Sequence, residues 1–319
     1  MKLVKQSAKL LKQEFGKTKE EIVDNAYKHV AKCAGICYAS KKTYDNADDA
    51  KKFVNDVLIK NGHLSPLAHA TCYLDIPYDY NESAVDAENM LSLQVDKDAN
   101  KYSNIVMFED QVDQIAIHEK KNYRETYCLD HIFVETNLRF IVERDLLDIY
   151  MNHCVSEDYV MNHINPLLYD DDIVSPRYTV VVETSRGISA EFNRHAANMV
   201  ICERSTRYCN LSNNEKFGDI EFVKSVDNTS TDKNLLIDDA YTFCEKTYCK
   251  LIEMGLKPEI ARNVLPLGLH TECVYTADMK EWKHIFELRM DGTTGKPHPD
   301  AKDLATDIHN AIYGDKLDE

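Results

Sequence analysis

The run from Ser185 to Tyr208, SRGISAEFNRHAANMVICERSTRY, holds the densest set of residues able to do chemistry. Ser205-Thr206-Arg207 offers two hydroxyls, a guanidinium and turn amides close together, a combination that grips a phosphate. The same triplet also suits a helix end or a surface ion pair. Read as a helix, Glu191, Arg194, His195, Asn198 and Cys202 recur every three or four residues, while Ile188, Phe192, Ala196 and Met199 line another side. Arg194-His195 then either holds an anionic cofactor or forms an ordinary polar face. Glu203 either orients an arginine or a ligand hydroxyl, or is simply solvated. Taken together, the stripe and the turn point to a phosphorylated ligand.

The charge balance narrows the ligand. The chain of 319 residues carries 54 acidic against 38 basic side chains, a formal charge of -16. Its average surface repels a nucleic-acid backbone, so any phosphate must be held by local arginines such as Arg194, Arg204, Arg207 and Arg262. Ten cysteines are present, but no apolar signal segment opens the sequence and no run approaches the roughly 20 apolar residues that cross a bilayer. The expectation is a cytoplasmic protein with buried thiols, no metal, no membrane contact and no nucleic-acid partner. Cys33 and Cys37, or Cys128 and His131, lack the remaining ligands of a zinc tetrad.

The positioning elements are a mixture of helices and strands, and the class is mixed α/β. Helices are expected over 19–33 and 46–60, the second stopped by Asn61-Gly62, followed by a strand over 70–76 that ends at Pro77. Residues 78–127 are polar and weakly periodic and read as a surface insertion in a single domain spanning 1–319. A strand over 132–136 then leads through an Asn137 cap into an amphipathic pattern of Leu138, Phe140, Ile141, Leu146, Leu147 and Tyr150. A second strand, 177–183, feeds the motif helix through Thr184 or Ser185. Beyond it, extended pieces are expected at 220–223 and 270–276, with helices at 234–254, 258–263, 279–289 and after His298-Pro299.

Four separated blocks resemble the flavin-dependent thymidylate synthases. GISAEFNRH followed by ERSTRYCNLSNNEKFGDIEFV is similar to the family signature, an Arg-His-Arg triplet, seven residues, then Ser and an Arg-Tyr pair. NGHLSPLAHATCYLDI and AGICYAS resemble its amino-terminal segments. ARNVLPLGLHTECVYTADMKEWKHIFELRMDG and HPDAKDLA resemble its closing ones. The resemblance implies a central, mostly antiparallel sheet flanked by helices and a homotetramer with shared sites. It further implies methylation of dUMP to dTMP, with carbon from 5,10-methylenetetrahydrofolate, hydride from bound FAD, and NADPH as reductant. No Pro-Cys nucleophile pair of the classical enzymes is present, and the flavin family needs none.

By matching position, the resemblance assigns the nucleotide to Glu191, Phe192, Asn193, Arg194, Glu203, Arg204, Ser205, Thr206, Arg207, Arg262 and Arg289. Arg289 is the catalytic residue, contacting the pyrimidine and favouring its ionised form. His69, Thr71, Arg194, His195, Ala196, Glu203, Asp278 and His284 fall at flavin positions. Three departures stand out. The triplet reads Arg194-His195-Ala196, and eight residues separate Ala196 from Ser205, so a bulge is expected between Ala196 and Cys202. Glu191 replaces Gln, and a pure acceptor suits the amino group of cytosine, so a cytidine nucleotide or a hydroxymethyl product is the alternative outcome. His284 replaces Asn. The broken triplet also fits a degenerate, non-catalytic nucleotide-binding protein.

Overall fold

The structure, a computed structural model, describes residues 1–77, 104–108, 118–120, 123–125, 127–128, 131–164, 176–225 and 231–314. The chain, read from its sequence as one domain, divides into two compact units, each with its own antiparallel sheet. One unit comprises Met1–Lys12, Cys33–Lys42 and Arg177–Glu319, the other Gln13–Lys32 and Thr43–Pro176.

In the second unit the sheet runs Asn104–Phe108, His131–Asn137, Thr71–Pro77, Cys154–Val155, with Tyr127–Cys128 also pairing to His131–Asn137. Asn104–Phe108 lies within the segment expected as a polar insertion, yet it pairs antiparallel with His131–Asn137. Residues His118–Lys120 and Tyr123–Glu125 pair with each other. The rest of 78–127 lies outside the described residues. Asn46 caps Ala47–Phe53 by accepting from the Asp49 amide, the helix widens into a π-helical stretch over Val54–Ile59, and Gly62 at φ +70° ends the turn. Asn137 caps Leu138–Glu143, accepting from the Phe140 amide at 3.0 Å. The amphipathic pattern after it is split into two helices, because Asp145 adopts φ 57° before Leu147–His153.

The other unit is built on a four-stranded sheet in the order Val200–Glu203, His270–Asp278, Arg177–Ser185, Ser7–Leu10, all antiparallel. Alternation along the strands sorts its two faces. Val180, Val182, Cys273 and Tyr275 point to one face and are buried beneath the helices Arg186–Phe192, Met279–Phe286 and Pro299–Gly314, which contribute Phe192, Trp282, Phe286 and Leu304. Val181, Cys202 and Val274 point to the other face, with Cys33 against them. Lys2–Val4 pairs in parallel with Glu221–Val223 as a separate ribbon. Among the described residues no helix is long and apolar enough to cross a membrane, and no group of three or more His, Cys, Asp or Glu could hold a metal ion.

Candidate functional site

The strand Arg177–Ser185 ends where Ser185 turns its hydroxyl onto the Ile188 amide at 3.3 Å, capping the helix Arg186–Phe192. This helix does not continue through the expected polar stripe. It tightens into the 3-10 turn Asn193–His195, a turn follows at 196–198, and Val200–Glu203 is a strand. The β-branched Val200-Ile201 pair, and pairing with His270–Asp278, override the helical periodicity. Cys202 therefore leaves the stripe and packs on the far face of the sheet. No bulge is needed for the extra residue in the signature, because the turn takes it up. In the tight turn His195 faces inward and is buried, while Arg194 and Ala196 are exposed.

Glu203, at the end of its strand, is the hub of this face. It is ion-paired with Arg186 Nη1 at 3.0 Å and accepts from Ser189 Oγ at 2.8 Å, Thr271 Oγ1 at 3.1 Å and Asn193 Nδ2 at 3.4 Å. Asn193 in turn accepts from the Tyr275 hydroxyl at 3.3 Å, and Phe192 is stacked on the Tyr275 ring from within the core. Arg186, Ser189 and Asn193 share one helix face at intervals of three and four. That periodicity marks Arg186, Ser189 and their partner Thr271 as residues the sequence reading passed over. Burial, and then the nearby charge of Glu203, push the Cys273 thiol well above its ordinary range, so it is no nucleophile at neutral pH.

The anion turn follows directly. Ser205 Oγ accepts from the Arg207 and Tyr208 amides, both at 3.2 Å, which fixes the turn and leaves its O–H free to donate elsewhere. Arg262, 56 residues further along the chain, donates to Thr206 Oγ1 at 3.1 Å. Arg207 reaches Glu259 at 3.2 Å and lies over the Tyr208 ring, with its guanidinium largely exposed. Arg204 is turned away from the others: Nη2 donates to the Phe217 carbonyl at 2.7 Å, a contact that holds the loop.

Arg289 lies in the π-helical stretch Glu287–Asp291 after the helix Met279–Phe286. Its Nη1 is 3.1 Å from Glu191 Oε2 and its Nη2 donates to the Glu191 carbonyl at 2.9 Å, while its Nε is buried without a partner among the described residues. The helix begins at Asp278, which accepts from the Glu281 amide at 2.7 Å and so serves as its cap. Glu281 is buried and holds His195 Nδ1 at 3.1 Å. His284 is exposed on the same helix, its ring edge-on to that of His195 with centroids 5.8 Å apart. His69 and Thr71 belong to the other unit, where His69 closes the 3-10 turn Ser65–His69, Thr71 opens a strand, and both are buried.

Comparison with known proteins bears on this unit. Residues 174–313 match the family Thy1, described as Thymidylate synthase complementing protein. A probable flavin-dependent thymidylate synthase of Paramecium bursaria Chlorella virus 1 is 28% identical over 144 residues, covering 41% of this chain and 64% of that protein. The flavin-dependent thymidylate synthase of Sulfurisphaera tokodaii is 31% identical over 115 residues, covering 35% of this chain and 42% of that one. The chain thus spans less than two thirds of the length of these curated relatives. A solved UMP/dUMP methylase, PolB from Streptomyces cacaoi bound with 5-Br dUMP, aligns at 20% identity over 43% of this chain and 66% of that one, with a TM-score of 0.36. Over residues 174–313 the chain is similar in sequence to the flavin-dependent thymidylate synthase family, as the motifs around Ser205, Arg262 and Arg289 imply.

Proposed function

We propose that the chain is a flavin-dependent enzyme converting dUMP to dTMP, with 5,10-methylenetetrahydrofolate as carbon donor and NADPH as reductant of FAD. The observation that carries this reading is the meeting of Ser205, Thr206, Arg207 and Arg262 at one turn. Hydroxyl donors beside two exposed guanidiniums form a local anion site on an acidic protein, which is what a nucleotide phosphate requires. Glu203, locked by Arg186, Ser189, Asn193 and Thr271, fixes the strand end from which that turn springs.

The residues also fit a flavin. The buried Nε2 of His195 has no partner among the described residues, as expected of an atom that meets a ligand. His195, Arg194, Ala196, His284 and Glu203 would hold FAD, and Asp278 supports them as a helix cap. Bound FAD supplies the hydride that completes the methyl group. Arg289 orients the pyrimidine and stabilises negative charge on it. Assembly into a homotetramer is supported by the exposed Leu235, Leu236, Ile237 and Phe243 on the helix Thr231–Glu253, since apolar side chains grouped on one helix suit burial against another copy.

A second reading, methylation or hydroxymethylation of a cytidine nucleotide, is favoured by the Glu191–Arg289 pair. A carboxylate acceptor beside a guanidinium donor complements the amino group and ring nitrogen of cytosine. The flavin reading is tested by adding FAD to purified protein and following its absorbance. Uptake, and bleaching of the yellow colour on anaerobic addition of NADPH, is the expected result; colourless protein that takes up no FAD contradicts it.

A further inference from the structure

His195 and Glu281 form a buried pair, with side chains only 7% and 8% exposed. One carboxylate oxygen of Glu281 lies 3.1 Å from His195 Nδ1, and the other accepts from Asn198 Nδ2 at 2.9 Å. Burial opposes ionisation of Glu281, but the donors on His195 and Asn198 outweigh it and draw the carboxyl below its ordinary value. An ionised carboxylate can only accept, so the hydrogen between the two groups sits on Nδ1. Nε2, on the opposite edge of the ring, is then committed to look away from Glu281, and it is buried without a partner among the described residues. The cap at Asp278 accounts for the backbone amide of Glu281 but not for where its side chain goes.

We propose that Glu281 is a positioning residue that keeps the hydrogen of His195 on Nδ1 and aims Nε2 at a hydrogen-bond donor of bound flavin, a ring N–H or a hydroxyl. Glu281 touches no ligand itself and acts through the imidazole. This rests on the flavin reading of His195 given above.

The test compares the parent protein with Glu281→Gln, His195→Ala and the double variant. FAD dissociation constants come from quenching of flavin fluorescence, and side-chain nitrogen NMR of the flavin-free parent reads the His195 tautomer, assigned by the signal lost in His195→Ala. Trp282, the single tryptophan, is buried next to Glu281 and reports whether each variant folds. The expected result is a ring protonated on Nδ1 and bare on Nε2 in the parent. Each single variant weakens FAD about 10-fold, the lower end of the scale for partners that orient metal-binding histidines. The double variant stays within about twofold of His195→Ala, because residues acting through one contact are not additive. Additive losses, a ring carrying a hydrogen on Nε2, or unchanged affinity in a folded Glu281→Gln would overturn the positioning role while leaving His195 as a flavin residue. Unchanged affinity in His195→Ala removes the flavin reading of His195, and the proposal with it. The tautomer measurement uses the unaltered chain, so it decides the point even where Glu281→Gln does not fold.

Discussion

Replacing Glu191 by Gln perturbs the site at its most informative contact. In the parent, both terminal nitrogens of Arg289 are engaged by Glu191, one by the carboxylate at 3.1 Å and the other by the main-chain carbonyl at 2.9 Å. At that separation the gross attraction is about 5 kcal/mol for an effective dielectric of ~20, and much of it is offset by desolvation of two largely covered groups. Glu191→Gln removes the charge but keeps an acceptor and adds a donor, leaving Arg289 freer to face an ionised ring. A matched against a mismatched hydrogen bond to a base edge is worth about 1–3 kcal/mol, or roughly 5- to 150-fold. The ratio of dUMP to dCMP affinity, measured by titration calorimetry on both proteins, should therefore move toward dUMP by a factor in that range. Equal change for the two nucleotides, or a ratio constant within about twofold, would refute the reasoning and remove Glu191 from the base.

Further outcomes follow from individual contacts. Arg262→Ala deletes the donor to Thr206 and one exposed guanidinium; calorimetry should give dUMP binding weakened about 10-fold, deoxyuridine binding unaffected and melting nearly unchanged. Glu272 stands directly opposite Glu183 across paired strands, and burial followed by that like charge raises its carboxyl above the ordinary value. Because the folded value is the higher one, stability falls as the pH rises from the ordinary carboxylate range through the raised value. Glu272→Gln should be more stable than the parent near neutral pH by about 0.2–1 kcal/mol in urea melts and converge with it in acid. Gly268→Ala would drive Cβ into the Tyr241 hydroxyl, and the Tyr241 ring is stacked on Phe222, so thermal unfolding should show a loss of about 1–3 kcal/mol.

How far the sequence reached depended on whether a feature was local. Asn137 is visible as a cap, and Ser185 as one of two candidates with Thr184, because a short polar side chain before an apolar helical pattern has one good use, and each accepts an amide of its first turn. The strands carrying Val180 to Val182 and Cys273 to Tyr275 are equally legible from β-branched and aromatic runs. The stripe ending at Cys202 misled, because helical spacing recurs by chance across a turn and a strand, and pairing with His270–Asp278 decides the outcome. Glu281 was hidden behind a local pattern: Asp278 three residues earlier reads as a capping box, which explains a glutamate there without any distant partner. The contacts of Glu191 with Arg289 and of His195 with Glu281 cross 98 and 86 residues, and no spacing rule encodes them.

The proposed reaction replaces the hydrogen on carbon 5 of the pyrimidine by a methyl group. The direct measurement is tritium release from carbon-5-labelled dUMP incubated with the protein, FAD, NADPH and 5,10-methylenetetrahydrofolate, with the nucleotide product identified by chromatography. Release accompanied by dTMP, and abolished by Arg289→Ala in folded protein, is the predicted result. Label retained in dUMP by FAD-loaded protein, whether or not dCMP turns over, would contradict it.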